Sequence, residues 1–442
     1  MDATFAIAAI GSLLLLIFLG VDIAIALGVA GFAGLIIATG RMDASFGLLT
    51  STAFEALRDY LFIVIPMFIL MGELIARCGA ASDLFIVANR LLRRIPGRMM
   101  VATVGANVIF AAVVGVSIAS ASAFARIAYP PMRAAGYDRR GSLGVIAGSA
   151  CLGMIIPPSI LFIIWGVLTE ISIGKLFMAG VFPGLLLASL FIVYIMIKAT
   201  LTPGFAGELR ATASGATAAI EQTVQWGPTV ISTIGVLLLI VGTIVSIWGG
   251  FATPTEASAF GAFGALLVAL VKGMRWTGIR ESILEAGRVS GPILIILITA
   301  QMYSRMLASA GVVSVFQNGV QAAGLGPWTL LLIMVVIWVI LGMFLDSVSI
   351  ILLTVPLFGP VAIAAGWDPI AYAVIGVLAI ETGLLTPPFG LVVFSVKATV
   401  PDRDVSLSDV FRGALPYVAL ILICVFSIAA FPALATWLPG KM

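Results

Sequence analysis

Two stretches of this chain, around residues 115–166 and 345–396, repeat each other at an offset of 230 positions. Gly136 and Asp138 recur as Gly366 and Asp368, Ser117 recurs as Ser347, and Gly153, Pro157 and Pro158 recur as Gly383, Pro387 and Pro388. Each copy thus holds an apolar segment interrupted by glycine and a proline pair. A duplicated unit of that kind points to a secondary transporter with its binding site near the membrane midplane. Gly31 and Gly34 match Gly261 and Gly264 at the same offset, which widens the duplication. Small insertions are expected between the matched blocks.

Composition agrees with the repeat. Of 442 residues, 62% are hydrophobic and 10% charged, with mean hydropathy +1.22. A soluble domain carries about 25% charged residues, so an all-α polytopic membrane protein is expected, surrounded by lipid. Alternating strand patterns are absent, so helices and not a barrel must satisfy the backbone. A formal charge of +3 does not suggest nucleic acid. The N-terminus has no basic run before its apolar stretch, so no cleaved signal peptide is expected. Cys78, Cys151 and Cys424 are scattered and histidine is missing altogether. That removes His-based metal sites and Ser-His-Asp catalysis, and no enzyme is predicted.

Hydropathy predicts spans at roughly 4–20, 21–38, 61–78, 174–198, 227–248, 252–272, 289–309 and 411–437. Segments 42–60, 80–95, 204–224 and 275–288 read as interfacial arms. Two re-entrant helical hairpins (99–135 and 327–366) are each followed by a discontinuous helix (141–168 and 369–397). The chain therefore divides into scaffold helices and an arm (1–98), a first transport unit (99–168), further scaffold (169–326), a second transport unit (327–397) and a C-terminal helix (398–442). Arg90, Arg93, Arg94 and Arg98 precede the first hairpin, and Arg133, Arg139 and Arg140 follow it. The second is entered through the uncharged stretch 311–328 and left at Asp368. By the positive-inside rule the hairpins enter from opposite faces. Loops 198–226, 272–288 and 397–412 then lie in the cytoplasm, the repeat is inverted and both termini are periplasmic.

The first candidate site pairs the tip Gly115–Ser122, including Ser117, Ser120 and Ser122, with the break Gly153–Ser159. Two prolines in a row stop the helical ladder. The freed carbonyls and the serine hydroxyls suit a sodium ion, and half-helix N-termini suit an anionic substrate. The alternative is a proline kink packed on small residues. The second site pairs Gly342–Ser349 with Glu381–Pro388, where Asp346 stands at the position of Val116 and Thr386 at that of Ile156. A carboxylate at mid-depth costs at least about 2.5–3.5 kcal/mol, so Asp346 needs a role. It could be a cation ligand, a proton carrier or half of an ion pair. Glu381 lies a turn before its break. Arg126 either binds a substrate carboxylate or snorkels to the surface. Structural roles are expected for Glu73, Glu256 and Arg305.

Four ordered motifs carry a family resemblance over essentially the whole chain: Tyr129–Arg140, Gly153–Ser159, Phe251–Ala257 and Gly383–Pro388. With these the chain resembles the large membrane subunit of tripartite ATP-independent periplasmic (TRAP) transporters. The resemblance implies an elevator-type fold of the ion transporter superfamily, coupled to Na⁺ and carrying an organic acid. It implies two partners, a small four-helix membrane subunit on a separate polypeptide and a periplasmic substrate-binding protein, and places the chain in a bacterial inner membrane. It further implies one sodium site at Ser117, Gly153, Ile156 and Ser159 and a second at Gly342, Gly383, Thr386 and Phe389. Arg126, Ser120, Ser122, Asp346 and Ser347 are the candidates for substrate contact or coupling. The alternative is a stand-alone Na⁺- or H⁺-coupled dicarboxylate symporter of the same superfamily.

Overall fold

The computed structural model describes residues 3–207 and 226–442, and among these it is helical apart from one isolated bridge between Tyr137 and Ala206. The first half runs α1 (Ala3–Phe18), α2 (Ile23–Thr39), α3 (Met42–Arg58), a 3₁₀ turn Tyr60–Ile63 leading into α4 (Val64–Arg77), and α5 (Ala80–Leu91). Hairpin 1 follows as α6 (Arg98–Val114), α7 (Ser117–Ile127) and α8 (Tyr129–Ala134). The first broken helix is α9 (Arg139–Ala150), a 3₁₀ turn Cys151–Met154 and α10 (Ile160–Thr169), and α11 (Ile173–Leu201) closes the half. The second half runs α12 (Trp226–Trp248), α13 (Pro254–Val271), α14 (Trp276–Ser309) and α15 (Val312–Ala322). Hairpin 2 is α16 (Pro327–Gly342) and α17 (Ser347–Ala364); its broken helix is α18 (Pro369–Gly383) and α19 (Leu391–Thr399). The last elements are α20 (Leu407–Ala430) and α21 (Ala433–Thr436).

Both broken units are bounded by the same local chemistry. Asp138 caps α9 and Asp368 caps α18, each accepting backbone N–H groups of the first turn. A side-chain oxygen there satisfies donors that have no helical partner. Both interruptions end in a cis Pro–Pro bond, at Pro157–Pro158 and Pro387–Pro388. At 11, 10 and 9 residues, α7, α10 and α19 are about 13–17 Å long and cannot cross about 30 Å of hydrocarbon. They are half-spans by length, whereas α17, at 18 residues, is long and apolar enough to cross.

The offset of 230 sets α6 on α16, α7 on α17, α9 on α18 and α10 on α19 nearly start for start. The insertions expected between the matched blocks are therefore not needed there. In the scaffold, α2 packs along α14 and α13 along α4, an exchange of partners that mirrors the repeat. The paired glycines explain the closeness. A Cβ on Gly31 would lie 3.2 Å from the Tyr303 backbone nitrogen, and one on Gly261 would lie 2.7 Å from Met71 Sδ. Where the halves meet, Trp165 of α10 packs edge-on against Trp338 of α16 and Tyr372 of α18, with centroids 6.2 and 5.9 Å apart.

Some boundaries differ from expectation. The arm 275–288 and the span 289–309 are one helix of 34 residues, although Arg280, Glu281, Glu285 and Arg288 suggest a break by hydropathy. Three of these charges are accommodated in ion pairs, Arg77–Glu281 at 2.9 Å and Arg288–Glu285 at 3.2 Å. The corresponding stretch of the first half bends at Asp59, whose carboxylate accepts the Leu61 N–H and starts a new turn. The uncharged stretch 311–328 contains α15, which was not anticipated. The C-terminal span ends at Ala430 rather than 437, with Pro432 before the short α21. The arm expected at 204–224 lies mostly outside the described residues.

Candidate functional site

Hairpin 1 reverses at Gly115, where φ is +65°, a conformation that costs glycine nothing. A Cβ on Gly115 would also lie 3.1 Å from Ile160 Cγ1, so the tip rests on the start of α10. In hairpin 2 the backbones of Gly342 and Gly383 touch: a Cβ on Gly383 would come within 2.6 Å of Gly342 Cα. Each tip is thus seated on the break of its own unit. A cavity of about 220 Å³ lies between the two tips, lined by Ser117, Asp346 and Ser347 on one side and by Val289, Ile293 and Ile296 of α14 on the other. A wider cavity of about 530 Å³ between α1 and α15 is lined by apolar side chains and lacks such groups.

The tips differ in how their second helices begin. Asp346 caps α17: its Oδ1 accepts the Ser349 N–H at 3.1 Å and its other oxygen accepts the Ser349 hydroxyl. In the first unit the equivalent residue is Val116, and α7 has no side-chain cap. Free N–H groups and the positive end of the helix dipole therefore face the cavity from α7 without a cap from its own N-cap residue. Ser117, at the start of α7, is 1% exposed and its Oγ has no hydrogen-bond partner.

The capping geometry separates two roles for Asp346. Asp346→Asn retains an acceptor and is expected to keep the wild-type melting point, whereas Asp346→Ala loses about 1 kcal/mol of stability. Equal loss from both substitutions would show that the charge, not the cap, is what the fold needs.

The two breaks gather oxygen atoms. In the first, the Ser159 hydroxyl donates to the Met154 carbonyl at 2.5 Å and accepts from the Phe162 N–H at 3.4 Å. Gly153 packs on Ala111, where a Cβ would come within 2.3 Å of the Ala111 methyl, and Ile156 is buried against Gly184 of α11. In the second, the Thr386 hydroxyl donates to the Thr382 carbonyl at 2.8 Å. The carbonyls of Leu384 and Thr386 both approach Gly390, each 3.1 Å from where its Cβ would be. Phe389 is half-exposed, with its ring beside Phe344 and Phe394. Among the described residues no group of three or more Cys, Asp or Glu could hold a metal ion. The oxygens here are carbonyls and hydroxyls, a set suited to a weakly held monovalent cation and not to a transition metal.

Other candidates lie elsewhere. Ser120 is fully buried and donates to Asn107 Oδ1, while Asn107 Nδ2 donates to Ser149 Oγ at 2.8 Å, so its hydroxyl is committed to a core network. Ser122 and Ser395 hydroxyls are 2.5 Å apart and tie α7 to α19. Arg126 is exposed in the last turn of α7, nine residues and about 13 Å of helix from Ser117; it does not line the tip cavity. Glu73 pairs with Arg77 at 3.2 Å, Glu256 completes the α13 capping box with Thr253, and Arg305 pairs with Glu55. Glu381 is more central than its sequence position suggests. It is 1% exposed and accepts the Ser347 hydroxyl at 2.6 Å. Its importance comes from a contact between separate elements, which no local motif announces.

Beyond the ends of the first unit, polar pairs fasten α8 and α9 to the segment before α20 and to its first turn. The Tyr129 hydroxyl donates to Asp402 at 2.9 Å, and that bond holds the Asp402 carboxyl below its usual range. Arg140 Nε lies 3.1 Å from Asp409, whose carboxyl is lowered mainly by the Ser406 hydroxyl.

Two halves that trade scaffold partners, each with a seated tip and a proline-broken helix, define a polytopic helical transporter fold. A solved structure agrees: the YdaH transporter of Alcanivorax borkumensis superposes with a TM-score of 0.65 at 12% identity, covering 92% of this chain and 90% of that one. The chain belongs to the family described as "Tripartite ATP-independent periplasmic transporter, DctM component", which matches residues 10–434. It is 33% identical to the C4-dicarboxylate TRAP transporter large permease protein DctM of Pseudomonas aeruginosa, over 88% of each chain. It is 28% identical to the ectoine TRAP transporter large permease protein TeaC of Halomonas elongata, over 96% of each chain. It is also 28% identical to the sialic acid TRAP transporter permease protein SiaT of Haemophilus influenzae, over 88% of this chain and 61% of that longer protein. The protein is thus a large permease component of a TRAP transporter.

Proposed function

We propose that this permease carries an organic acid inward together with Na⁺ across a bacterial inner membrane. A periplasmic binding protein delivers the cargo, a small four-helix membrane subunit completes the complex, and both chain termini lie in the periplasm. The two tip-and-break units move as one body against the scaffold in an elevator cycle. The observation that carries this reading is the asymmetry of the two tips around their shared cavity. One helix N-terminus is neutralised by Asp346, while the other meets the cavity with Val116 at its cap. A substrate carboxylate fits the vacant cap as Asp346 fits its own. Relatives named for C4-dicarboxylate and sialic acid agree with an acidic cargo.

In this reading the sodium ions rest on the carbonyls and hydroxyls of the breaks, around Ser117, Gly153, Ile156 and Ser159 and around Gly342, Gly383, Thr386 and Phe389. Arg126 lies outside this cavity. Each net positive charge carried inward gains about 2.3 kcal/mol per 100 mV of membrane potential.

Uptake of a labelled C4-dicarboxylate into proteoliposomes holding the assembled complex tests the reading. Transport is expected only with an inward sodium gradient; equal uptake in choline would remove the coupling. Val116→Asp supplies the missing cap from within and is expected to raise the apparent KM for the anion about tenfold or more. An unchanged KM would remove α7 from the substrate site.

A further inference from the structure

We propose that the joint between the scaffold arm and the first hairpin holds the phosphate of an anionic phospholipid, gripped by Arg90, Arg93, Arg94 and Lys198 beside Trp226.

Four elements converge at this joint. Helix α5 ends at Leu91, and the Arg90 guanidinium lies 3.9 Å from the ring centroid of Trp226, the first residue of α12. The loop 92–97 carries Arg93 and Arg94, both exposed, and enters α6 at Gly97, where φ is +68°. A Cβ on Gly97 would lie 3.0 Å from Ile195 Cγ2 and 3.3 Å from Ala199 Cβ, so the loop rests on the last turns of α11. Lys198, also exposed, stands in that same stretch of α11.

The cluster has no acid of its own. None of the ion pairs among the described residues includes these four cations. Helices α6, α11 and α12 carry no carboxylate. The single one of α5, Asp83, is taken by Lys272 at 2.6 Å. Like charges gathered in this way repel, and an anion among them relieves the repulsion. A topology signal needs basic residues on the cytoplasmic side, but it does not need them drawn from three segments to one tryptophan.

The surroundings select a lipid over a soluble anion. Leu91, between Arg90 and Arg93, is 81% exposed. Val230 and Ile234 continue down α12 from Trp226 at four-residue spacing, and both are exposed, as are Val193 and Ile197 of α11. These apolar rails suit acyl chains, while the guanidinium groups above them suit phosphate oxygens in bidentate contact. Basic residues gathered beside the bilayer attract anionic headgroups in this manner. A lipid seated there ties α5 to α11 across the loop from which hairpin 1 departs.

Titrating the purified complex in neutral detergent with phosphatidylglycerol, read as melting temperature, tests the site. A saturable rise is expected, and none with phosphatidylcholine of the same acyl chains. Arg93→Gln with Arg94→Gln is expected to raise the half-effective phosphatidylglycerol concentration about tenfold or more. Arg93→Lys with Arg94→Lys keeps both charges and is expected to recover most of that loss. Arg403→Gln with Arg412→Gln removes two exposed charges from the segment around the start of α20 and is expected to leave the response unchanged. Should the first pair not fold, Lys198→Gln is expected to weaken the response several-fold. An equal rise with phosphatidylcholine or with inorganic phosphate overturns the anionic lipid. Equal weakening by the Arg403 and Arg412 pair spreads the effect over the whole surface and overturns the site.

Discussion

Lys272→Met is expected to destabilise the protein by about 3–5 kcal/mol, because it strands a buried charge. Asp83 of α5 is 6% exposed, and its Oδ2 receives both the Lys272 ammonium at 2.6 Å and the Ser232 hydroxyl. The three residues come from α5, α12 and the end of α13, so a single carboxylate ties three scaffold helices. Removing the lysine leaves the acid with one neutral donor in a poorly hydrated place. The double replacement Lys272→Met with Asp83→Leu is expected to recover most of the loss, since an apolar pair of similar volume removes the stranded charge. Chemical or thermal unfolding in detergent measures both. A single substitution costing less than about 1 kcal/mol would mean that water reaches the pair as it reaches surface pairs.

Gly383→Ala is the second large effect. Its Cβ would lie 2.6 Å from both Gly342 Cα and the Val339 carbonyl, and neither is a side chain that can swing aside. Helix α18 would have to part from α16, opening the seat on which the second tip rests. Overpacking usually costs about 1–3 kcal/mol, and a backbone contact belongs at the top of that range. Uptake is expected to be lost with it. Gly359→Ala, in α17 of the same unit, meets nothing nearer than 3.9 Å and is the matched control. Equal melting points for the two variants would show that the close approach of α16 and α18 is not maintained in the membrane.

The hairpin and break boundaries were legible in sequence because each is marked by a residue with one local use. Gly115 turns the first tip, Asp138 and Asp368 cap the helices that follow, and the proline pairs halt them. The continuity of α14 was not legible. Hydropathy reports depth in the bilayer, and the charges at 280–288 change depth without breaking the backbone. The site was legible by segment but not by residue. Ser117, Ser120 and Ser122 are near neighbours in sequence, yet helical rotation sends one to the cavity, one into a core network and one to Ser395. Arg126 is separated from the tip by helix length alone. Glu381 gains its partners from the two hairpins, and such pairing across elements leaves no local trace. Asp346 was read as costly at mid-depth, and its cap on α17 accounts for it.

The 34 residues of α14 make a rod of about 51 Å, some 20 Å more than the hydrocarbon layer. Its opening turns hold Arg280, Glu281, Glu285 and Arg288, groups that stay with lipid headgroups. The rod is therefore moored at one leaflet by its own charges, and Val289, Ile293 and Ile296 hang from that mooring at a constant depth. Any molecule in that cavity would rest against a wall whose depth in the bilayer this mooring sets.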